Sequence, residues 1–265
     1  MKVRANGIEV NYELAGEGDC LVLIHGAGDS LGMWRDQVSA LSGRFRVLTY
    51  DIRGFGGTEL PDGDVGVDGL AADLRELLRA LDIESAYLVG YSMGGRIALQ
   101  LAVETPVMVR ALVLANSGVA PASPEGRERR RVLIEALERG DAASVAERMT
   151  ELSFSPGLRE RDPALFQRYR EIKLANKPRS FARVWSAVMQ SPPPDVSRLA
   201  CPVLIIAGER DSFVPLASAR ATQGSIRGSR LEILPTGHAA ALEAPAEFNE
   251  LVLDFLSQLD GNRHD

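Results

Sequence analysis

Histidine is scarce in this chain, with three among 265 residues at positions 25, 238 and 264, and cysteine is scarcer still, with Cys20 and Cys201 alone. The two cysteines each open an apolar run and lack the close spacing of a metal or redox pair, so they read as buried free thiols. No cluster of Cys, His, Asp and Glu has metal-ligand spacing; neither a metal nor a cofactor is implied. No apolar run is long enough to span a bilayer. The opening MKVRANGIEVNY has early charges without an apolar stretch behind them, unlike a signal peptide. These features predict a soluble, cytoplasmic protein with no membrane partner. Positive charge is in deficit as well: 30 Lys and Arg against 36 Asp and Glu leave a net charge of -6. Such a field repels a phosphate backbone, so nucleic acid is not an expected partner. Low-complexity tracts and long-period repeats are missing, and 45% hydrophobic with 25% charged residues is an ordinary globular balance. One domain, with a sizeable insertion, is expected.

What is present is an alternation. CLVLIHG, FRVLTYD, AYLVGYS, VRALVLANSG, CPVLIIAGERD and RLEILPTGH are apolar stretches of strand length, each ended by glycine and polar residues. Runs this continuously apolar suit strands buried on both faces of a parallel sheet. IEVNYEL follows an Asn6-Gly7 hairpin signal. Between them lie helical patterns: MWRDQVSALS, VDGLAADLRELLRALD, GGRIALQLAVET, PLASARATQGSI and PAEFNELVLDFLSQL. Strand and helix in turn predict an α/β fold, an open and mostly parallel sheet with helices on both faces.

The alternation breaks once. From about Val119 to Asp195 only helical patterns occur, and SPPPD closes the block with three prolines that forbid regular structure. The expected division is a core of 1–117 and 196–265 with a helical cap, or lid, of 118–195, since so long an insertion needs packing of its own. This cap holds 14 basic and 11 acidic residues, a net of +3 against -9 for the rest of the chain. A basic lid over an acidic body favours an anionic substrate. The basic run RERRR itself reads as the solvated front of an exposed helix.

In open parallel sheets ligands gather at the carboxyl ends of strands, where this chain places His25-Gly26-Ala27-Gly28, Asp51, Ser92, Asn116, Asp211 and His238. Ser92 stands in GYSMGG, a match to G-x-S-x-G, which suits a tight strand-to-helix turn that exposes a hydroxyl. A serine nucleophile needs a histidine to take its proton and a carboxylate to orient that histidine. His264 sits next to the end of the sequence and reads as frayed, and His25 belongs to the HGAG turn, which leaves His238 as the base. The acid is Asp211, with Glu209 two residues earlier as competitor and helix capping as the competing role for Asp211. The backbone N–H groups of Ala27 and Met93 are the candidate oxyanion donors. His25, Gly26, Trp185 and Met189 are further candidate substrate contacts; for the last two, four apart on a helix, plain packing is the competing reading. DIRGFGGTE lacks the Lys-Ser/Thr pair of a phosphate loop and reads as a turn ordering the floor of the site.

Taken together, HGAGDSLGMWRDQVSAL, FRVLTYDIRGFGGTE, GYSMGGRIALQLA, LVLANSG, CPVLIIAGERDSFVP and GHAAALEAPAEFN resemble the α/β-hydrolase superfamily over nearly the whole chain. The nearest likeness is to capped lactonases and esterases grouped with 3-oxoadipate enol-lactonase. The resemblance implies a nucleophile at Ser92, acid at Asp211, base at His238 and oxyanion donors at Ala27 and Met93. It further implies a small-molecule ester or lactone as substrate. Ser92 at the elbow departs from dehalogenases and epoxide hydrolases, which carry aspartate there. Carbon-carbon bond hydrolases of vinylogous diketones and cofactor-free haloperoxidases share the pattern, and a slow-turnover ligand sensor on the same scaffold is a further alternative. The oligomeric state is open, with a homo-oligomer among the options.

Overall fold

The hairpin signal at Asn6-Gly7 forms as expected: strands β1 (Lys2–Ala5) and β2 (Ile8–Ala15) pair antiparallel across it, and both turn residues take positive φ, 47° and 78°. Two successive positive φ values give the twist that a two-residue hairpin needs. The computed structural model describes residues 1–63, 65–119 and 122–261; His264, read as a frayed residue, lies outside them.

From there strand and helix alternate: β3 (Cys20–Ile24), α1 (Arg35–Leu41), β4 (Arg46–Tyr50), α2 (Val67–Ala80), β5 (Ala86–Tyr91), α3 (Met93–Glu104) and β6 (Val109–Ala115). Five helices follow without a strand: α4 (Pro124–Glu138), α5 (Ala142–Ser153), α6 (Leu158–Arg161), α7 (Pro163–Leu174) and α8 (Pro178–Gln190). The sheet then resumes with β7 (Val203–Gly208), α9 (Leu216–Ser225), β8 (Arg230–Leu234), α10 (Ala240–Glu243) and α11 (Pro245–Gly261). The strands form one sheet in the order β1-β2-β4-β3-β5-β6-β7-β8. β2 meets β4 antiparallel, and every pairing beyond β4 is parallel.

The apolar runs are continuous because both faces of the central strands are covered. In β5, Ala86 and Leu88 belong to the core beneath α2 and α3, while Tyr87, Val89 and Tyr91 belong to the core on the opposite face, shared with Met33, Leu41 and Phe248. β3, β6 and β7 alternate in the same way, the period of two expected of a strand. The sheet is thus a rigid platform, and its carboxyl-end loops are the segments left to carry polar groups.

Two buried carboxylates brace those loops. Asp51 accepts hydrogen bonds from the Leu31 N–H (2.8 Å), the Gly57 N–H (2.8 Å) and Asn11 Nδ2 (2.7 Å), so the DIRGFGG turn is tied to β2 and to the segment before α1. Asp73 of α2 pairs with Arg53 of the same turn, Nε to Oδ2 at 2.6 Å, and accepts from Asn6 Nδ2 at 2.7 Å.

Candidate active site

Ser92 sits between β5 and α3 with φ 52° and ψ −112°, a conformation that side chains rarely adopt. Such a conformation costs on the order of 1–3 kcal/mol. Three hydrogen bonds hold it: the Ser92 N–H to the Ala115 carbonyl (2.9 Å), and the Gly95 N–H (3.1 Å) and Ser117 Oγ (2.7 Å) to the Ser92 carbonyl. At about 1 kcal/mol net apiece they match the strain. The glycines of GYSMGG are needed for close approach, since a methyl group on Gly94 would overlap the backbone carbonyls of Ile24 and His25. The turn thrusts the Ser92 hydroxyl off the sheet edge while Met93 opens α3, where a first-turn N–H has no acceptor within the helix.

His238 and Asp211 arrive from the loops after β8 and β7. His238 Nε2 lies 2.9 Å from Ser92 Oγ, and His238 Nδ1 lies 2.8 Å from Asp211 Oδ2. Histidine and aspartate are 4% and 6% exposed, which strengthens every charge interaction between them. Asp211 Oδ1 accepts from the N–H groups of Phe213 and Val214, both at 2.8 Å, so the carboxylate is locked by its own turn. Asp211 does not cap α9, which begins at Leu216 after Pro215. Glu209, the competing acid, is exposed and faces Arg210 instead. The His238 ring packs between Tyr91 and Phe213 at centroid distances of 5.1 and 5.0 Å, and its loop is held by the Gly237 N–H to Glu243 (2.8 Å) and the Ala239 N–H to the Ser153 carbonyl (2.8 Å).

Two cavities flank Ser92. The larger, of about 260 Å³, runs beneath α4 and α8 and is lined by Met93, Arg96, Arg130, Trp185, Met189 and Phe213, among others. The smaller, of about 30 Å³, lies toward Ala27, Tyr169, Lys173 and His238. Ala27, Met93, Trp185 and Met189 therefore all border the space next to Ser92. Trp185 also stacks on Phe181 at 5.3 Å, so packing and cavity lining are one role for that ring.

His25 and Gly26 do not line either cavity, which corrects the expectation that they touch substrate. The His25 imidazole is fully buried; Nδ1 faces the Gly26 carbonyl at 2.8 Å and Nε2 accepts the Ile52 N–H at 2.9 Å. Those bonds select the neutral tautomer with the proton on Nδ1, and burial lowers the His25 pKa despite nearby Asp51. Gly26 is enclosed against the Tyr91 ring.

The RERRR run keeps Arg127, Glu128 and Arg131 exposed, as read, and departs from that reading at Arg130. Arg130 turns inward beside Ser92, with Nη2 donating to the Phe213 carbonyl at 2.8 Å and Nη1 enclosed without a hydrogen-bond partner among the described residues. Burial, then the neighbouring Arg129, pulls its pKa below the usual arginine value. The helical phase carried the signal: Arg130 lies three, four and seven positions before Leu133, Ile134 and Leu137, all buried, so it shares the inner face of α4. Lys173, which the sequence reading passed over, follows the same rule on α7, whose buried residues are Leu165, Phe166, Tyr169 and Lys173. Its Nζ lies 2.8 Å from Asp29 Oδ1, with both side chains almost fully buried. Arg96 of α3 joins sheet to insertion, donating to the carbonyls of Val188 (2.6 Å) and Ser191 (2.7 Å). Among the described residues no group of three or more Cys, His, Asp and Glu is arranged to hold a metal, and no helix is long and apolar enough to cross a membrane.

Known proteins similar to this chain are numerous. The family model described as alpha/beta hydrolase fold matches residues 19–245. A 3-oxoadipate enol-lactonase of Acinetobacter baylyi is 28% identical over 94% of this chain and 93% of its own length. A 2-hydroxymuconate semialdehyde hydrolase of a Pseudomonas species is 33% identical over 98% and 94%. Among solved structures, the enol-lactonase of Burkholderia xenovorans superposes with a TM-score of 0.91 at 29% identity, covering 97% of this chain and all of that one. With most of its length matched by the family model, the chain is a member of the alpha/beta hydrolase fold family of hydrolytic enzymes.

Proposed function

We propose that this enzyme is a serine hydrolase that cleaves a small carboxylic ester or lactone carrying an anionic group. The observation that carries the reading is the unbroken relay from Ser92 Oγ to His238 Nε2 (2.9 Å) and from His238 Nδ1 to Asp211 Oδ2 (2.8 Å). His238 takes the Ser92 proton as Oγ attacks the carbonyl carbon, and Asp211 holds the imidazole in the tautomer that leaves Nε2 free and stabilises the imidazolium that forms. The N–H groups of Ala27 and Met93 receive the developing oxyanion. His238 then gives the proton to the leaving alcohol, or to the ring oxygen of a lactone, and a water activated by the same nitrogen clears the acyl group from Ser92.

The helices of 118–195 act as a cap that sets substrate shape, since α4 and α8 roof the larger cavity. Arginines 96, 127, 129 and 130 line that cavity and, among the described residues, no acidic one does, which supports an anionic substrate. Arg130 Nη1, buried without a partner, is the natural donor to its carboxylate. The lactonase named above supports the ester and lactone class, and the 2-hydroxymuconate semialdehyde hydrolase supports a second reading, cleavage of a carbon-carbon bond in a vinylogous diketone by the same relay.

The test is labelling with a small fluorophosphonate, read by mass spectrometry of the modified peptide, followed by turnover of lactones, esters and vinylogous diketones. Stoichiometric modification of Ser92 that disappears in His238→Ala is the expected result. A folded protein labelled nowhere would overturn the serine hydrolase reading and leave ligand sensing in its place. Turnover of the diketones alone would move the reaction to the carbon-carbon class.

A further inference from the structure

The loop Gly26–Asp29 is held by the helices between β6 and β7 as well as by its own turn. It leaves β3 through a single turn closed by the Asp29 N–H to the Gly26 carbonyl at 3.3 Å, with Gly28 at φ 75°. Neighbouring strands do not pair with it. Three residues from the end of α7 and the start of α8 converge on it instead. Lys173 Nζ is 2.8 Å from Asp29 Oδ1 and 3.5 Å from the Ala27 carbonyl. Asn176 Nδ2 donates to the Gly28 carbonyl at 2.9 Å, while Asn176 Oδ1 accepts the Gly56 N–H at 2.9 Å, so one amide ties the loop to the DIRGFGG turn. The Phe181 ring closes over Gly28, where a methyl group would strike it.

From this convergence we propose that Lys173 and Asn176 are positioning residues for the oxyanion hole: they hold the Gly26–Asp29 loop so that the Ala27 N–H points at the oxygen of the tetrahedral intermediate. The proposal rests on the reading of Ala27 as an oxyanion donor. Its physical content is that a peptide N–H can be turned away from a ligand by a small rotation of its plane, and the Ala27 and Gly28 carbonyls, on the two peptide planes that follow the one carrying the Ala27 N–H, are the ones these side chains grip. A buried ion pair of this kind contributes little net stability for its desolvation cost, and fixing one geometry is what it does well. Transition-state stabilisation then depends on the α7–α8 corner being seated.

The test compares Lys173→Met, Asn176→Ala and the neutral pair Asp29→Asn with Lys173→Met against wild type, using a small p-nitrophenyl ester and, separately, inhibition by phenylboronic acid, whose tetrahedral adduct on Ser92 places an oxygen in the hole. Lys173→Met leaves the Asp29 charge buried and unpaired; Asn176→Ala and the double variant do not, and they carry the test if the first fails to fold. Removing one oxyanion donor outright lowers kcat by about 10² to 10³. Misdirecting one should lower kcat about 10- to 100-fold with KM within about threefold, and should weaken boronate inhibition in proportion. Folded variants with wild-type kcat and boronate inhibition would overturn the proposal alone. So would a kcat loss with unchanged boronate inhibition. A wild type without ester turnover or Ser92 labelling would overturn the functional reading first, and this one with it.

Discussion

Asn116 Nδ2 lies 3.0 Å from Asp211 Oδ2, the same oxygen that receives His238 Nδ1. Asn116 takes φ 47° at the end of β6 and reaches the Gly237 carbonyl as well, at 3.3 Å, so one amide touches both Asp211 and the loop of His238. Asn116→Asp replaces this donor with a second carboxylate against Asp211. Like charges at that distance force one of the two to hold a proton. We expect kcat to fall at least tenfold at pH 7.5 with little change in far-UV circular dichroism; steady-state kinetics and the spectrum together check it.

On the proposed anionic-substrate reading, Arg130 should separate substrates by charge. Arg130→Met should lower kcat/KM for an ester bearing a carboxylate by about 10- to 100-fold, the size of a charge-assisted hydrogen bond, while a neutral ester of the same length changes little. Parallel kinetics on the matched pair decide the matter, and equal losses on both would assign Arg130 to packing.

His25 makes stability depend on pH. Its folded pKa is lowered, by burial first, so below about pH 6.5 the unfolded chain binds a proton that the native chain refuses. Stability is therefore full above that pH and declines beneath it, by up to about 1.4 kcal/mol per pH unit from this one group. Urea unfolding at pH 7.5 and 5.5 should show the decline in wild type and a smaller one in His25→Gln, which keeps an acceptor for the Ile52 N–H.

Both cysteines should resist alkylation. Burial pushes the Cys20 thiol up to about 12 and the Cys201 thiol to about 11, so neither presents thiolate near neutrality. Iodoacetamide at pH 8 is expected to modify the pair only after denaturation, as intact-mass measurement would record.

Gly94 admits no side chain. Gly94→Ala drives a methyl group into two backbone carbonyls, of Ile24 and His25, which cannot rotate away as a side chain does. Overpacking of this kind costs about 1–3 kcal/mol and shifts the loop beside Ala27. A lowered thermal midpoint together with lost Ser92 labelling is the expected pair of results.

Much of this architecture is legible in the linear chain because a parallel sheet leaves two clear marks: apolar runs such as LVLI and VLII, and small or polar residues at their ends. Ser92, Asp211 and His238 were nameable because each ends such a run. The inward charges were harder to see. Arg130 sits in a run of arginines and Lys173 in a polar helix, and composition assigns both to solvent. Their helical phase puts them inside, yet burying a charge needs a partner, and those partners, the Phe213 carbonyl and Asp29, come from segments 83 and 144 residues away. His25 failed for the opposite reason. Its position at a strand end matched that of a site residue, and only the Ile52 and Gly26 contacts reveal a structural imidazole.

Glu243 bonds the Gly237 N–H on the histidine loop and the Ser155 N–H (3.0 Å) beyond α5, and the next loop residue, Ala239, bonds the Ser153 carbonyl. His238 is thus seated by chain that lies more than 80 residues earlier, between β6 and β7. In a refolding experiment the sheet can assemble from its own strands, but His238 is expected to reach its place only once α5 has docked. Recovery of activity should accordingly trail recovery of the backbone signal, and the interval between them times the closing of this 88-residue loop.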